Sequence, residues 1–280
     1  GSGVLAMLLT NDIALFVVVP LTLGLGEFAQ LPLRRLVIFE ALSVNAGSML
    51  TPIGNPQNIL LWQLSEVNFG EFVLHMLPPF IIASLCLLLF TLLAFPAKHI
   101  HVDELQQAPT IRKSMLRASA LLYIPFLVLA DMHYVWAGLI LVALVFLLWF
   151  RQLLRQIDWP LLAVFVLMFI DLGLLARYPV LRYLNLAHTG TLYLTGVISS
   201  QFLSNVPAAI LLSKYSADWS TIAWAVDVGA FGTAIASLAN IIALRIGRQR
   251  GILLAFHAWS VPFFIVVGGV TWLLLRFHVF

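Results

Sequence analysis

The sequence predicts an all-α polytopic membrane protein made of two related halves, each with a re-entrant helical hairpin, a broken transmembrane helix and a closing helix. Three observations predict it. Hydrophobic residues make up 62% of the 280-residue chain and charged residues 10%, with a mean hydropathy of +1.02, too few charges to cover a water-facing surface. Apolar stretches at 72–95, 135–150, 159–176 and 252–275 approach or exceed the roughly 18–20 residues that a hydrocarbon core demands. A string of residues around Asn58 also recurs around Asn240.

Taken in order, the first elements lie in residues 4–25, which are apolar on both sides of Thr10-Asn11-Asp12. The arm before this polar tip is far too short to span and the arm after it barely long enough, which predicts a re-entrant hairpin over 1–25. The stretch 33–64 holds Gly47, Pro52, Gly54 and Pro56, residues that oppose a continuous helix, so a broken helix is predicted. A helix at 72–95 closes a first half over 1–95. The polar connection 96–112, with Asp103, Glu104 and Pro109, leads into a second half over 113–280. That half should comprise three simple helices within 113–176 and a hairpin over 190–215 with its tip at Ser204-Asn205-Val206-Pro207. A broken helix over 220–247, interrupted between Gly229 and Ala236, and a closing helix over 252–275 should follow.

Setting Asn58 over Asn240 aligns Gly47-x-x-x-Thr51-x-Ile53-x-x-x-x-Asn58-Ile59 with Gly229-x-x-x-Thr233-x-Ile235-x-x-x-x-Asn240-Ile241, five identities where roughly one is expected by chance. Upstream, Leu9-Thr10-Asn11 parallels Leu203-Ser204-Asn205. A unit of three helices, a hairpin, a broken helix and a closing helix crosses the bilayer an odd number of times, so the second copy should be inverted relative to the first. The first copy shows no counterpart of the three leading helices, and on that count about 90 further residues are expected upstream of Gly1.

If both hairpins return to the side they entered from, most Lys and Arg residues fall on or beside the loops 26–35, 96–112, 151–157 and 246–251. The exceptions are Arg177, Arg182, Lys214 and Arg276. The positive-inside rule then makes those four loops cytoplasmic in a plasma (bacterial inner) membrane, with the C-terminus outside. The net charge of +3 is too scattered to form a nucleic-acid surface. The expected partners are the lipid bilayer and a small-molecule or ion substrate, and no nucleic acid. Cys86 stands alone, which removes a disulfide framework or thiolate metal site.

In hydrocarbon every backbone polar group needs an internal partner, so unwound backbone at membrane depth persists where it lines a cavity or binds something. The four interruptions and the residues beside them therefore nominate Thr10, Asn11 and Asp12; Leu50, Thr51, Pro52, Asn55 and Asn58; Ser200, Ser204 and Asn205; and Gly232, Thr233 and Asn240 as substrate- or ion-binding. Freed carbonyls and neutral side-chain oxygens suit Na⁺, and helix N-termini that begin at a break favour anionic or polar substrate atoms. Helix N-capping is the plainer role for the Asn, Ser and Thr residues at the two tips, and the two roles are compatible. Asp227 and Asp171, inside apolar helices, are candidate proton relays, although Asp171 suits an interfacial role equally well. His75 and His257 read as structural, and Glu40 as reaching toward Arg34 and Arg35.

Leu9-Thr10-Asn11-Asp12, Leu50-Thr51-Pro52-Ile53-Gly54-Asn55-Pro56-Gln57-Asn58 and Leu203-Ser204-Asn205-Val206-Pro207 resemble the ion-transporter superfamily, which includes arsenite efflux proteins, citrate and dicarboxylate carriers and NhaD-type sodium/proton antiporters. The resemblance covers essentially the whole chain. It implies a scaffold domain and a transport domain with an elevator-type movement, and a homodimer through the scaffold helices. By position it implies one Na⁺ site from Thr10 and Asn11 with Leu50 and Thr51, and another from Ser200, Ser204 and Asn205 with Gly232 and Thr233. Ala6, the counterpart of Ser200, cannot coordinate through its side chain, and Asp12 and Val206 stand where dicarboxylate carriers place hydroxyls.

The implied function is secondary active transport of a small anion or oxyanion-like solute, coupled to Na⁺ or H⁺ and needing no cofactor beyond that ion. A Na⁺/H⁺ antiporter is the alternative, and a passive channel is a further class. No enzyme is expected: the Gly-x-Gly-Asp and Gly-x-Ser-Gly contexts of intramembrane proteases are absent, and a protease would leave the repeat unexplained.

Overall fold

The computed structural model describes residues 1–26, 31–96, 113–154 and 185–277, with isolated positions between 159 and 170. Every regular element among the described residues is helical. The chain divides into two compact units, Gly1–Glu104 with Phe169–Phe280, and Leu105–Met168. In the smaller unit, α6 (Lys113–Asp131) packs on α7 (Val135–Trp149), and a four-residue α8 (Arg151–Leu154) follows. The turn between α6 and α7 places His133 at φ 61°, and Gly138 lets α7 approach Phe126. Of the third helix expected within 158–176 only those isolated positions are described, and Asp171 lies outside the described residues.

The larger unit opens with α1 (Ser2–Leu8) and α2 (Asn11–Gly26), separated by an extended Leu9. α3 (Leu33–Ser48) and α4 (Pro56–Ser65) are the two parts of the first broken helix. α4 restarts where Asn55 caps it, accepting from the Asn58 backbone N–H at 2.9 Å, with Pro56 at the first helical position, where its missing N–H costs nothing. α5 (Phe69–Ala94) is capped in the same way by Asn68, whose Oδ1 accepts from Glu71 N at 2.9 Å. The order then recurs. α9 (Thr189–Leu203) and α10 (Asn205–Leu212) meet at Ser204, and α11 (Trp219–Gly229) and α12 (Leu238–Gly247) flank a short 3₁₀ turn at Ala234–Ala236. α13 (Ile252–Arg276) closes the unit.

α5 and α13 are long and apolar enough to cross a membrane, and α2, α7 and α12 are shorter apolar helices. α5 and α13 pack on each other and turn large aliphatic side chains outward, Leu85, Leu92, Leu93 and Leu254 among them. Such faces suit lipid rather than water. The inner faces bury Trp62, Phe72, Tyr193, Phe231, Phe256 and Phe263.

Glu40 does not reach Arg34 or Arg35. Its Oε1 accepts from Thr22 Oγ1 on α2, while Arg35 donates to Ala94 O and lies 5.9 Å from the ring centres of Phe95 and Trp259. Five helical residues separate Arg35 from Glu40, about 500° of rotation, which turns the two side chains to different faces of α3.

Candidate functional site at the paired helix breaks

The first hairpin is tied to the first break by backbone and side chain. Asn11 N donates to Gly54 O at 2.8 Å, and Thr51 Oγ1 donates to Met7 O at 2.8 Å. Gly47 allows α1 to approach α3 so closely that a Cβ there would lie 2.0 Å from Gly3 O. Asn58, fully buried on α4, turns its amide back into the break, where Nδ2 donates to Met49 O and Thr51 O at 3.3 and 3.4 Å. These bonds satisfy carbonyls that a continuous helix would have paired internally.

The second hairpin and break repeat the threonine and asparagine bonds of this arrangement. Thr233 Oγ1 donates to Gln201 O at 3.2 Å, Gln201 being the counterpart of Met7. Asn240 Nδ2 donates to Ala230 O and Thr233 O at 2.8 and 3.2 Å. At the two tips, Asn11 Oδ1 accepts from Asp12 N at 2.9 Å and Asn205 Oδ1 from Val206 N at 3.0 Å. A Cβ on Gly229 would meet Ser200 Cβ at 2.6 Å and Val197 O, the counterpart of Gly3 O, at 3.4 Å.

The two copies interlock at Asn45 and Asp227, which occupy matched positions one turn or less before the breaks. Asn45 Oδ1 accepts from Asn11 Nδ2 at 3.3 Å and from Ser237 Oγ at 3.4 Å, and its Nδ2 donates to Asn240 Oδ1 at 2.8 Å. Asp227 Oδ1 accepts from Asn55 Nδ2 at 3.1 Å and Gln57 Nε2 at 2.8 Å. Each copy thus reaches the position that starts the other copy's second half-helix, Ser237 in one direction and Asn55 in the other. All of these residues are buried.

The structure therefore gathers Asn11, Asn55, Asn58, Asn240 and Asp227 into one buried amide network and places Thr51 and Thr233 as clamps between hairpin and break. Asn205, Ser200 and Ser204 stand outside that network. Ser200 Oγ donates to Gly196 O at 2.8 Å, and Ser204 Oγ to Asn205 Oδ1 at 3.3 Å. Ser204 adopts φ 75° and ψ 156°, a region that favours glycine, so the second tip holds a strained residue where the first has an extended Leu9. Asp12 has a buried Oδ1 without a hydrogen-bond partner. Leu50 and Pro52 form the irregular backbone of the first break, and Gly232 O in the second accepts from Ser260 Oγ at 2.7 Å. Thr10 contributes its carbonyl to the first turn of α2, accepting from Ala14 N at 2.9 Å. Among the described residues no three His, Cys, Asp or Glu side chains converge as a metal-binding cluster, and the site's polar groups are amides, hydroxyls and backbone carbonyls together with the carboxyls of Asp12 and Asp227.

Four participants are absent from the residues nominated by the motifs: Asn45, Gln57, Gln201 and Ser237. Gln201 binds Gly229 O and Thr233 N at 2.8 and 2.9 Å and fills the space a side chain on Gly232 would need. A signal for it existed, since it is an amide within an apolar hairpin arm. Asn45 and Ser237 were reachable as the aligned partners of Asp227 and Asn55. His257, expected to be structural, stands beside the second break, where its Nε2 accepts from Ala234 N at 3.2 Å. His75 packs its ring edge-on against Trp219.

Comparison with known proteins places these features in a family. A model of the citrate transporter family, CitMHS, matches residues 1–229. The inner membrane protein YbiR of Escherichia coli is 42% identical over 98% of this chain and 75% of its own length. An uncharacterized transporter of Methanocaldococcus jannaschii, MJ0456, is 31% identical over 96% of this chain and 73% of its own. A shorter match, 39% identical over 25% of this chain and 15% of the relative, is to the silicon efflux transporter LSI3 of Oryza sativa.

Proposed function

This chain belongs to the citrate transporter family of membrane transporters, and from that premise we propose that it is a secondary active transporter moving a small anion or oxyanion-like solute, coupled to Na⁺ or H⁺. The observation that carries the reading is the duplicated construction of the breaks. Thr51 with Asn58, and Thr233 with Asn240, fix unwound backbone against a hairpin tip by the same bonds. Backbone held open at such expense beside two helix N-termini supplies carbonyls for a cation and N–H groups for an anion.

In this reading the halves are inverted repeats, the hairpins are re-entrant, and the broken helices with the hairpins form a transport domain that moves in elevator fashion against scaffold helices. Na⁺ ligands come from Thr10 and Asn11 at one tip and from Ser200, Ser204 and Asn205 at the other. Asn58 and Asn240 hold the breaks open and do not themselves bind the ion. The loops 26–35, 96–112, 151–157 and 246–251 face the cytoplasm of a bacterial cell, the C-terminus faces outward, and scaffold helices form a homodimer. Asp12 argues against a dicarboxylate, because a carboxylate at the tip would repel one, and favours a neutral or weakly acidic hydroxylated solute. The rice relative named for silicon efflux fits that chemistry. The unpartnered Asp12 Oδ1 also keeps the Na⁺/H⁺ antiporter as a second reading.

The test is flux in proteoliposomes across citrate, succinate, sulfate, arsenite, silicic acid and Na⁺/H⁺ exchange, each with and without an imposed Na⁺ or H⁺ gradient. Saturable uphill movement of one solute with either gradient is expected. Flux that never moves against the solute's own gradient would make the protein a passive channel.

A further inference from the structure

The two interlocking positions are built alike except for one atom. Both polar atoms of the Asn45 side chain have partners: its Oδ1 accepts two hydrogen bonds and its Nδ2 donates to Asn240 Oδ1 at 2.8 Å. At the matched position Asp227 also accepts two bonds on Oδ1, but its Oδ2, which replaces the donor Nδ2, is buried with no partner. The acceptor awaiting it is equally exposed to that loss. Asn58 is the counterpart of Asn240, its Nδ2 is committed to Met49 O and Thr51 O, and its Oδ1 is buried without a donor. By the correspondence of the two breaks, in which Asn45 meets Asn240, Asn58 is the residue matched to Asp227. Gln57 Oε1, left over after Gln57 Nε2 binds Asp227 Oδ1, is a further buried acceptor without a donor.

An ionised Asp227 would therefore hold one carboxylate oxygen, Oδ2, buried and without a donor, in a site 2% exposed or less. Leaving such groups unmatched at this depth is costly, and one hydrogen on Oδ2 removes the mismatch. Among the described residues no cationic side chain pairs with Asp227: the carboxyl's hydrogen-bond partners are Gln57 and Asn55, both neutral. The titratable side chains on elements packed against α11 are turned to other contacts. From α5, His75 packs edge-on against Trp219 and Glu71 sits in the first turn beside the Asn68 cap. From α9, Tyr193 Oη donates to Gly268 O at 3.1 Å. From α13, His257 binds Ala234 N and Arg276 lies 5.2 Å from the Trp272 ring centre. Cys86 lies further along α5, and Asp218 on α11 itself caps that helix by accepting from Thr221 N.

We propose that Asp227 is a proton-binding site, its protonated carboxyl donating through Oδ2 to Asn58 Oδ1 and completing across the two breaks the contact that Asn45 makes with Asn240. The proton arrives from water and returns to water; no bond other than O–H forms or breaks. Bound, it joins α11 of one copy to α4 of the other. Lost, it leaves a buried carboxylate oxygen without a donor, which weakens the join between the two broken helices. Taken as the coupling proton it rests on the transport reading above, whereas its binding does not.

The experiment compares full-length wild type with Asp227→Asn and Asp227→Ala in lipid nanodiscs, by thermal unfolding across pH and by infrared spectroscopy of the carboxylic C=O band in ¹³C-aspartate-labelled protein. Asp227→Asn restores the donor that Asn45 has. It should fold, match wild type at low pH, and lose the fall in stability that wild type shows as pH rises. Asp227→Ala should be less stable than wild type at low pH. A protonated-carboxyl band present in wild type should be missing from Asp227→Asn. The proposal is overturned if that band is unchanged in Asp227→Asn, if the two proteins keep the same pH dependence, or if Asp227→Asn does not fold. It is overturned equally if NaCl, against choline chloride, restores wild-type stability at high pH but does nothing for Asp227→Asn, since the site then takes Na⁺. Neither readout needs transport, so failure of the flux assay and failure of the proton site are distinguishable.

Discussion

The first and second breaks share a plan but not a composition. At the first, α1 and α3 touch through backbone at Gly3 and Gly47, a tip residue binds Asn45, and both polar side-chain atoms of Asn45 have partners. At the second, Ser200 and Gln201 fill the space between α9 and α11, Ser204 sits in a strained conformation, and Asp227 carries an unmatched oxygen. The first hairpin presses on its break through backbone, whereas the second does so through the Ser200 and Gln201 side chains.

Substitutions can break that comparison, and the largest difference is expected at the matched glycines. Gly47→Ala drives a methyl into the backbone of Gly3, which cannot move aside, and should cost about 3 kcal/mol or more. Gly229→Ala meets chiefly the Ser200 side chain and should cost about 1–2 kcal/mol. Yield of monodisperse protein and the thermal midpoint measure both, and equal losses would mean that the two breaks are equally tight.

Next come the buried amides. Asn240→Ala strips the second break of two bonds and Asn45 of its acceptor, so it should destabilise by about 2–3 kcal/mol. Asn58→Ala removes two longer bonds, and about 1 kcal/mol is expected. Thermal unfolding at neutral pH should rank them in that order, and a reversed ranking would contradict the contrast drawn between Asn45 and Asp227. The clamps should behave as equals: Thr51→Val and Thr233→Val each delete one hydroxyl bond to a hairpin carbonyl, worth about 1 kcal/mol. The smallest effect belongs to Ser204→Gly, which relieves the positive φ and should raise the thermal midpoint slightly while weakening any Na⁺-dependent stabilisation.

Much of this was legible in the sequence because the interruptions are written in Gly, Pro and Asn. Pro56 after Asn55 marks the start of α4, and Gly47 and Gly229 mark where a hairpin arm presses on a broken helix. The pairing of Asn58 with Asn240 led directly to the two amides that hold the break carbonyls. What periodicity could not supply was partnership across the copies. Asn45 looks like one polar residue in an apolar helix until the fold sets it against Ser237 and Asn240, nearly two hundred positions away. Glu40 failed differently: its neighbours in sequence suggested the arginines, but helical rotation gave it to Thr22 on the adjacent hairpin.

The central claim is that the two tips beside the breaks are the transport site. Its most direct measurement is solute flux by Asn11→Ala and Asn205→Ala in proteoliposomes, with folding verified by monodispersity and thermal midpoint. Both variants should lose flux at least tenfold, with Asn205→Ala also losing any response to a Na⁺ gradient. Folded Asn11→Ala and Asn205→Ala proteins that move solute at the wild-type rate would contradict it.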